Sequence, residues 1–160
     1  MAKLTVGREI DRYIAQCEKL KFRVPEIAGR AIYEGAKVAV NQVRSNIAGL
    51  PVSENTSGRH GRRNPTAEEK QAMLDGLGIA KKRNDGGFIN VKIGFDGYDG
   101  HETDKYPQGH PISMIARSVD SGTTFMNRNP FMARAIKSSK AAAIEAMQEE
   151  IDKQAQEIFD

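Results

Sequence analysis

His60, His101 and His110, with the acidic run Asp96, Asp99, Glu102 and Asp104, are the side chains of this 160-residue chain best suited to hold a metal ion. Imidazole nitrogens and carboxylate oxygens are ordinary ligands for zinc and calcium. Their spacing does not serve that chemistry. No histidine pair stands at helical spacing, and the run from Asp96 to Asp104 lacks the calcium loop that ends in a bidentate glutamate. It reads as a solvated acidic loop. Ser113 or Ser121 with a histidine and an aspartate would supply the atoms of a nucleophilic triad, but no nucleophile elbow surrounds either serine. Gly86-Gly87 and Gly97-x-x-Gly100 are not followed by the Lys-Ser/Thr of a phosphate loop, and no dinucleotide fingerprint is present. The expectation is a protein that is not an enzyme, with no metal and no cofactor.

Electrostatic contact is the next chemistry the residues offer. Arg59, Arg62 and Arg63 cluster in one Gly/Ser/Asn/Pro-rich stretch, and Lys81, Lys82 and Arg83 form a second basic run. Such groups bind phosphate without reading base sequence. No aromatics are interleaved with them for base stacking. The first 65 residues hold 12 basic and 6 acidic side chains, a balance of +6 within a total of only +3. Arg59, Arg62 and Arg63 are therefore candidates for contact with DNA or with an acidic partner, against the simpler alternative of a solvated basic face.

The most specific stretch carries no reactive group at all. Val119-Asp120-Ser121-Gly122-Thr123 leads through a polar spacer to Asn129-Pro130-Phe131-Met132-Ala133-Arg134-Ala135. A Gly-Thr turn followed by a proline and two bulky apolar residues at a helix start suits the docking of a helix against a sheet or a second subunit. Gly122, Thr123, Pro130, Phe131 and Met132 are the expected interface residues, with Phe131 and Met132 as apolar anchors. A staple into the domain's own core is the competing use of the same wedge.

The elements that must position these residues follow from periodicity. Ile10, Tyr13, Ile14, Cys17 and Leu20 recur at steps of three and four and mark one face of a helix. Pro25 suits the first turn of a second helix, which Ile27, Ala28, Ala31, Ile32, Gly35, Val38, Ala39 and Val43 carry to about residue 48. A helical pair over 7–48 is expected, with small residues where a partner comes close. Residues 49–65 read as a mobile loop. Thr66 and Glu69 spell a capping box before a short helix ending at Gly76 and Gly78. Ile89, Val91, Ile93 and Phe95 alternate as a half-buried strand over 88–95, and Asp85-Gly86-Gly87 turns it from a weak strand at 79–83. Residues 96–109 read as a long polar loop. Pro111 opens another helix, closed by a left-handed cap at Gly122. Asn129 and Pro130 start a last helix to about residue 158, roughly 43 Å long. Its Ile144, Met147, Ile151, Ala155 and Ile158 form a coiled-coil-like seam. A rod of that length outruns one small core, so part of it is expected to lie on another subunit.

The fold class is thus α+β in one domain over 1–160: an N-terminal helical pair, a small antiparallel sheet and a long C-terminal helix. Hydrophobic residues make up only 39% of the chain and there is no Trp, a composition that suits burial completed by an oligomer. The single cysteine, Cys17, excludes an internal disulfide and is expected as a buried free thiol in a reducing compartment. No long apolar run suggests a membrane span, and Met1–Val6 lacks the apolar core of a signal peptide.

At these residues the chain resembles the tail-component family of long-tailed bacteriophages and prophages, whose members act in the neck as head–tail joining or tail-completion proteins. The resemblance runs through Ala36–Arg44 at the end of the helical pair, the strand Phe88–Phe95, Ser121-Gly122-Thr123 and the Asn129–Ala135 box. The chain departs from the family pattern at Asp120-Ser121, where an acidic residue and an aromatic are usual, and at Arg134, where proline is usual. The resemblance implies a virion structural protein, assembled in the host cytoplasm, that closes into a ring with copies of itself. A hexamer is expected, meeting neighbouring neck and tail proteins, with non-specific contact to genomic DNA and none to membrane. The alternative is a small DNA-binding or packaging accessory protein.

Overall fold

The computed structural model describes residues 6–54 and 61–160, with side chains from Ile10 onward. Arg59 and His60 lie outside the described residues. The fold is α+β, as the pattern of elements implies. In chain order it runs α1 (Val6–Ala48), α2 (Ala67–Gly76), β1 (Leu77–Ile79), β2 (Arg83–Asp85), β3 (Phe88–Asn90), β4 (Ile93–Phe95), α3 (Ile112–Ser121) and α4 (Phe131–Phe159).

The expected helical pair is a single helix. α1 continues through Pro25 for 43 residues, about 65 Å of rod at ~1.5 Å per residue. An interior proline removes one backbone hydrogen bond and costs about 3 kcal/mol. Packing on α4 offsets that cost. Gln154 of α4 is 2% exposed, and its Oε1 accepts from Arg23 Nη2 and from Arg30 Nη1, each at 3.3 Å. One buried amide thus ties together the turns on either side of Pro25.

α1 and α4 lie antiparallel. Tyr13 and Gln16 meet Phe159 at one end, Gly35 faces Met147 in the middle, and Asn46 Nδ2 donates to Phe131 O at 3.0 Å at the other. A Cβ on Gly35 would come within 2.8 Å of Met147 Cγ, so glycine sets the approach of the two rods. α1 of the same chain therefore accompanies α4 along its length. The anticipated seam is divided: Ile158 is buried, while Ile144 and Ile151 are 45% and 43% exposed.

The core gathers at the α1 C-terminal end. Val40, Val43, Ile47 and Leu50 pack with Met73, Leu77, Ile112, Ile115, Val119, Met126, Phe131 and Ala135. The strands make one bent hairpin: β1 pairs antiparallel with β4 (Leu77↔Phe95) and β2 with β3 (Arg83↔Asn90). Between Ile79↔Ile93 and Arg83↔Asn90, residues 80–82 face only 91–92. That extra residue is a bulge, which interrupts the continuous strand expected over 88–95 and bends the arm. Gly86 and Gly87, with φ of 64° and 94°, turn the tip.

α2 starts at the expected capping box: Thr66 Oγ1 accepts from Glu69 N at 3.1 Å, and Glu69 Oε2 accepts from Thr66 N at 2.8 Å. α3 begins after Pro111 and ends at Gly122, whose φ of 74° and ψ of 158° place it in a positive-φ extended turn rather than the left-handed helical cap expected. Cys17 is exposed, against the expectation of burial: α4 meets this stretch of α1 at Tyr13 and Gln16, and Cys17 stays outside that contact. Ile10, Tyr13, Ile14, Phe22 and Val24 are likewise exposed, each at 50% or more.

Candidate assembly interface

The bend between α3 and α4 is built from its own hydrogen bonds. Thr123 Oγ1 accepts from Phe125 N at 3.2 Å and from Met126 N at 3.0 Å, while Thr123 N donates to Met126 O at 3.0 Å. Asn129 N donates to Val119 O at 2.8 Å and draws the chain back over the end of α3. Pro130 has φ −74° and ψ 67°, and Phe131 N donates to Asn129 O at 2.7 Å. This is an inverse γ-turn, so α4 begins at Phe131 and not at Pro130. Asn129 does not cap it. The cap comes from the neighbouring helix: Asp120 Oδ1 accepts from Met132 N at 2.9 Å.

A second segment is laced to this bend. Arg63 N donates to Phe125 O at 2.9 Å and Asn127 N donates to Arg63 O at 2.8 Å, with a side-chain bond from Asn127 Nδ2 to Asn64 Oδ1 at 3.1 Å. The flanks of the expected mobile loop are pinned where they are described. Ser53 N donates to Pro65 O at 3.0 Å, and Leu50 belongs to the core. The Arg63 guanidinium then reaches Glu69 at 2.6 and 2.7 Å. Burial alone would push the Glu69 carboxyl up, but the hydrogen bonds from Arg63 and from Thr66 N–H outweigh it and hold the group below its ordinary value. The same bond raises Arg63, against its own burial.

The proposed contact residues therefore separate. Phe131 is 2% exposed and meets Phe95 edge-on at 6.1 Å between ring centroids, so it is a core residue and not an anchor displayed to a neighbour. Met132 is half-buried against the same core. Gly122 and Pro130 are half-buried, and Thr123 lies at the surface with its hydroxyl used inside the turn. Arg63 is half-buried, its guanidinium paired with Glu69 and its backbone bridged to Met126. Arg62 is exposed. The exposed apolar group of the bend is Phe125, at 62%. Sequence reasoning passed over it, although a lone phenylalanine in a turn of Thr and Asn was the available signal.

The other candidate residues lie apart from the bend's own hydrogen bonds. Asp99 and His110 pair at 3.3 Å in a cleft of about 240 Å³ below Thr123 and Met126. Asp99 Oδ1 is occupied by His101 N at 3.0 Å and His110 N at 2.7 Å. Burial would raise its carboxyl, but these donors hold it below the ordinary value. The pair draws the two ends of the loop together just ahead of α3. Ser113 and Ser121 line a different depression, beside Phe131 and Met132. Among the described residues, no group of three or more His, Cys, Asp or Glu could hold a metal ion, and no helix is long and apolar enough to cross a membrane.

The basic residues outside the bend converge elsewhere. Arg30, Lys81, Lys82 and Lys153 line a cleft of about 600 Å³ between α1, the hairpin and α4, together with Glu34 and Glu150. Lys82 lies across the α1 backbone at Gly29, where a Cβ would come within 2.6 Å of its Cδ. No family model, no curated protein and no solved structure matches the chain.

Proposed function

We propose that this protein is a structural subunit of the head–tail junction of a long-tailed bacteriophage. Copies of it would close into a ring, six-fold by the resemblance, that completes the tail or joins it to the filled head. The observation that carries the reading is apolar surface without cover. Ile10, Tyr13, Ile14, Phe22 and Val24 stand exposed along α1, with Phe88 at the hairpin tip and Phe125 on the bend. Ile10, Tyr13 and Ile14 are neighbours at steps of three and four on one face of α1, the kind of clustered apolar surface that marks a site of protein contact. The Ser121-Gly122-Thr123 and Asn129–Ala135 segments supply the likeness to neck proteins, and they hold the bend in one shape from which Phe125 projects. Particles assembled without this protein should accumulate as filled heads and separate tails. Normal joining in its absence would refute the reading, and negative-stain images of the purified chain test the ring directly.

The second reading, a DNA-binding accessory protein, is favoured by one observation: Arg30, Lys81, Lys82 and Lys153 share a single cleft. A gel shift that weakens steeply with salt, and that Lys81→Ala with Lys82→Ala abolishes, would support it.

A further inference from the structure

The bulge in the hairpin arm does more than bend it. In a regular strand, successive side chains point to opposite faces. Lys81 and Lys82 are successive residues inside the bulge, and both line the same cleft of about 600 Å³. A bulge is the ordinary device for re-aiming a side chain in this way. Gly29 of α1 completes the placement. The Lys82 stem lies against the helix where a Cβ at position 29 would stand 2.6 Å from Lys82 Cδ. Lys153 of α4 joins the two in the cleft lining.

The charges that are already paired leave these three over. Glu34 accepts from Lys37 at 2.6 Å. Arg30 is held by Glu26 at 2.7 Å and by Gln154 at 3.3 Å. Among the described residues, Lys81, Lys82 and Lys153 have no carboxylate partner. The remaining acid of the lining is Glu150. Three ammonium groups thus converge on one concave surface against a single free carboxylate. Such a cleft focuses a positive potential and concentrates anions.

We infer that this cleft is a binding site for a compact polyphosphate anion, either free or as the tail of a nucleotide. Ammonium groups are compact point charges that suit phosphate oxygens. A planar carboxylate is matched better by a guanidinium fork, and the guanidinium of the lining, Arg30, is already engaged. The cleft volume falls in the range of small-molecule sites. A DNA duplex carries its phosphates on a convex rod, which a concavity of this size does not admit. The Tyr33 ring, 42% exposed, supplies an aromatic wall on which a base can stack. The site is independent of ring closure, and it differs from the DNA reading in the size and shape of its ligand.

Calorimetric titration of the full chain with tripolyphosphate tests it, at low salt because exposed ammonium groups are screened. One saturable site per chain is expected. Lys82→Ala combined with Lys153→Ala should weaken binding about tenfold or more. Glu150→Gln should tighten it about threefold, since it removes the opposing charge, a gain that a merely structural residue would not give. Lys140→Ala, about 20 Å away along α4, should change nothing. The substituted side chains are exposed or half-buried, and circular dichroism checks that each variant stays helical. Titration with ATP separates the two sources. Tighter binding of ATP, with the advantage lost in Tyr33→Leu, assigns the site to a nucleotide, and equal binding assigns it to free polyphosphate. No saturable binding at millimolar tripolyphosphate, an equal loss in Lys140→Ala, or no gain in Glu150→Gln would each overturn the site. A short DNA duplex that needs the same lysines and that tripolyphosphate does not displace would overturn it in favour of the DNA reading.

Discussion

The Asp120 carboxylate at the end of α3 accepts a hydrogen bond from Met132 N–H in the first turn of α4 at 2.9 Å. One helix thereby caps the next across the whole bend. The first amides of α4 would otherwise lack a side-chain partner, since Pro130 offers none. Asp120→Ala should cost about 1 kcal/mol, the usual worth of a side-chain cap. Asp120→Asn should keep most of it. Urea unfolding of the two variants measures the difference, and equal loss in both would show that the carbonyl-type acceptor is not what matters.

Gly122 has no substitute in the turn that follows. Its φ is 74°, and a Cβ there would lie 2.9 Å from Arg128 Cβ and 3.1 Å from Arg128 Cα. Strain and collision act together, so Gly122→Ala should destabilise the protein by about 1–3 kcal/mol. Thermal unfolding checks this. A neutral effect would mean that the bend re-forms elsewhere between α3 and α4.

Acid should loosen the lacing of the 61–65 segment. Glu69 is held below its ordinary carboxyl value of 4.5 in the folded protein. Its ion pair therefore adds stability above that pH, and the contribution fades as pH falls through the depressed folded value. Asp99, also depressed, acts in the same direction. Glu69→Gln should flatten the acid limb of a stability-versus-pH curve without abolishing it. Arg63→Ala should lower stability near neutral pH, whereas Arg62→Ala, at an exposed site, should leave it unchanged. A pH profile of the urea midpoint for these three variants decides it.

The parts of the fold legible in the sequence are those written locally. Thr66 and Glu69 cap each other three residues apart, Gly86-Gly87 turns the hairpin, and Gly122 ends α3, each through bonds or dihedrals within a few residues. Pro25 was illegible because its tolerance comes from Gln154, far away in sequence. The stripe through Cys17 was legible as a face, but periodicity reports that a face is apolar and not what covers it. The inward turn of Phe131 was hidden for the same reason. Phe125 and Phe131 are six positions apart in one segment, and only the packing of Phe95 against Phe131 decides which ring goes inward.

Those two phenylalanines give the sharpest separation of folding from assembly. Phe131 fills the core beside Phe95, so Phe131→Ala should cost about 3–5 kcal/mol, and Phe131→Asp should fail to fold rather than yield soluble, assembly-defective protein. Phe125 is 62% exposed, and its N–H bond to Thr123 Oγ1 comes from the backbone. Phe125→Asp should therefore keep the wild-type melting temperature. If the bend faces a neighbour in the neck, the same substitution should leave heads and tails unjoined when it is the sole copy in infected cells. A variant that melts normally and still joins particles would confine the bend to a structural role.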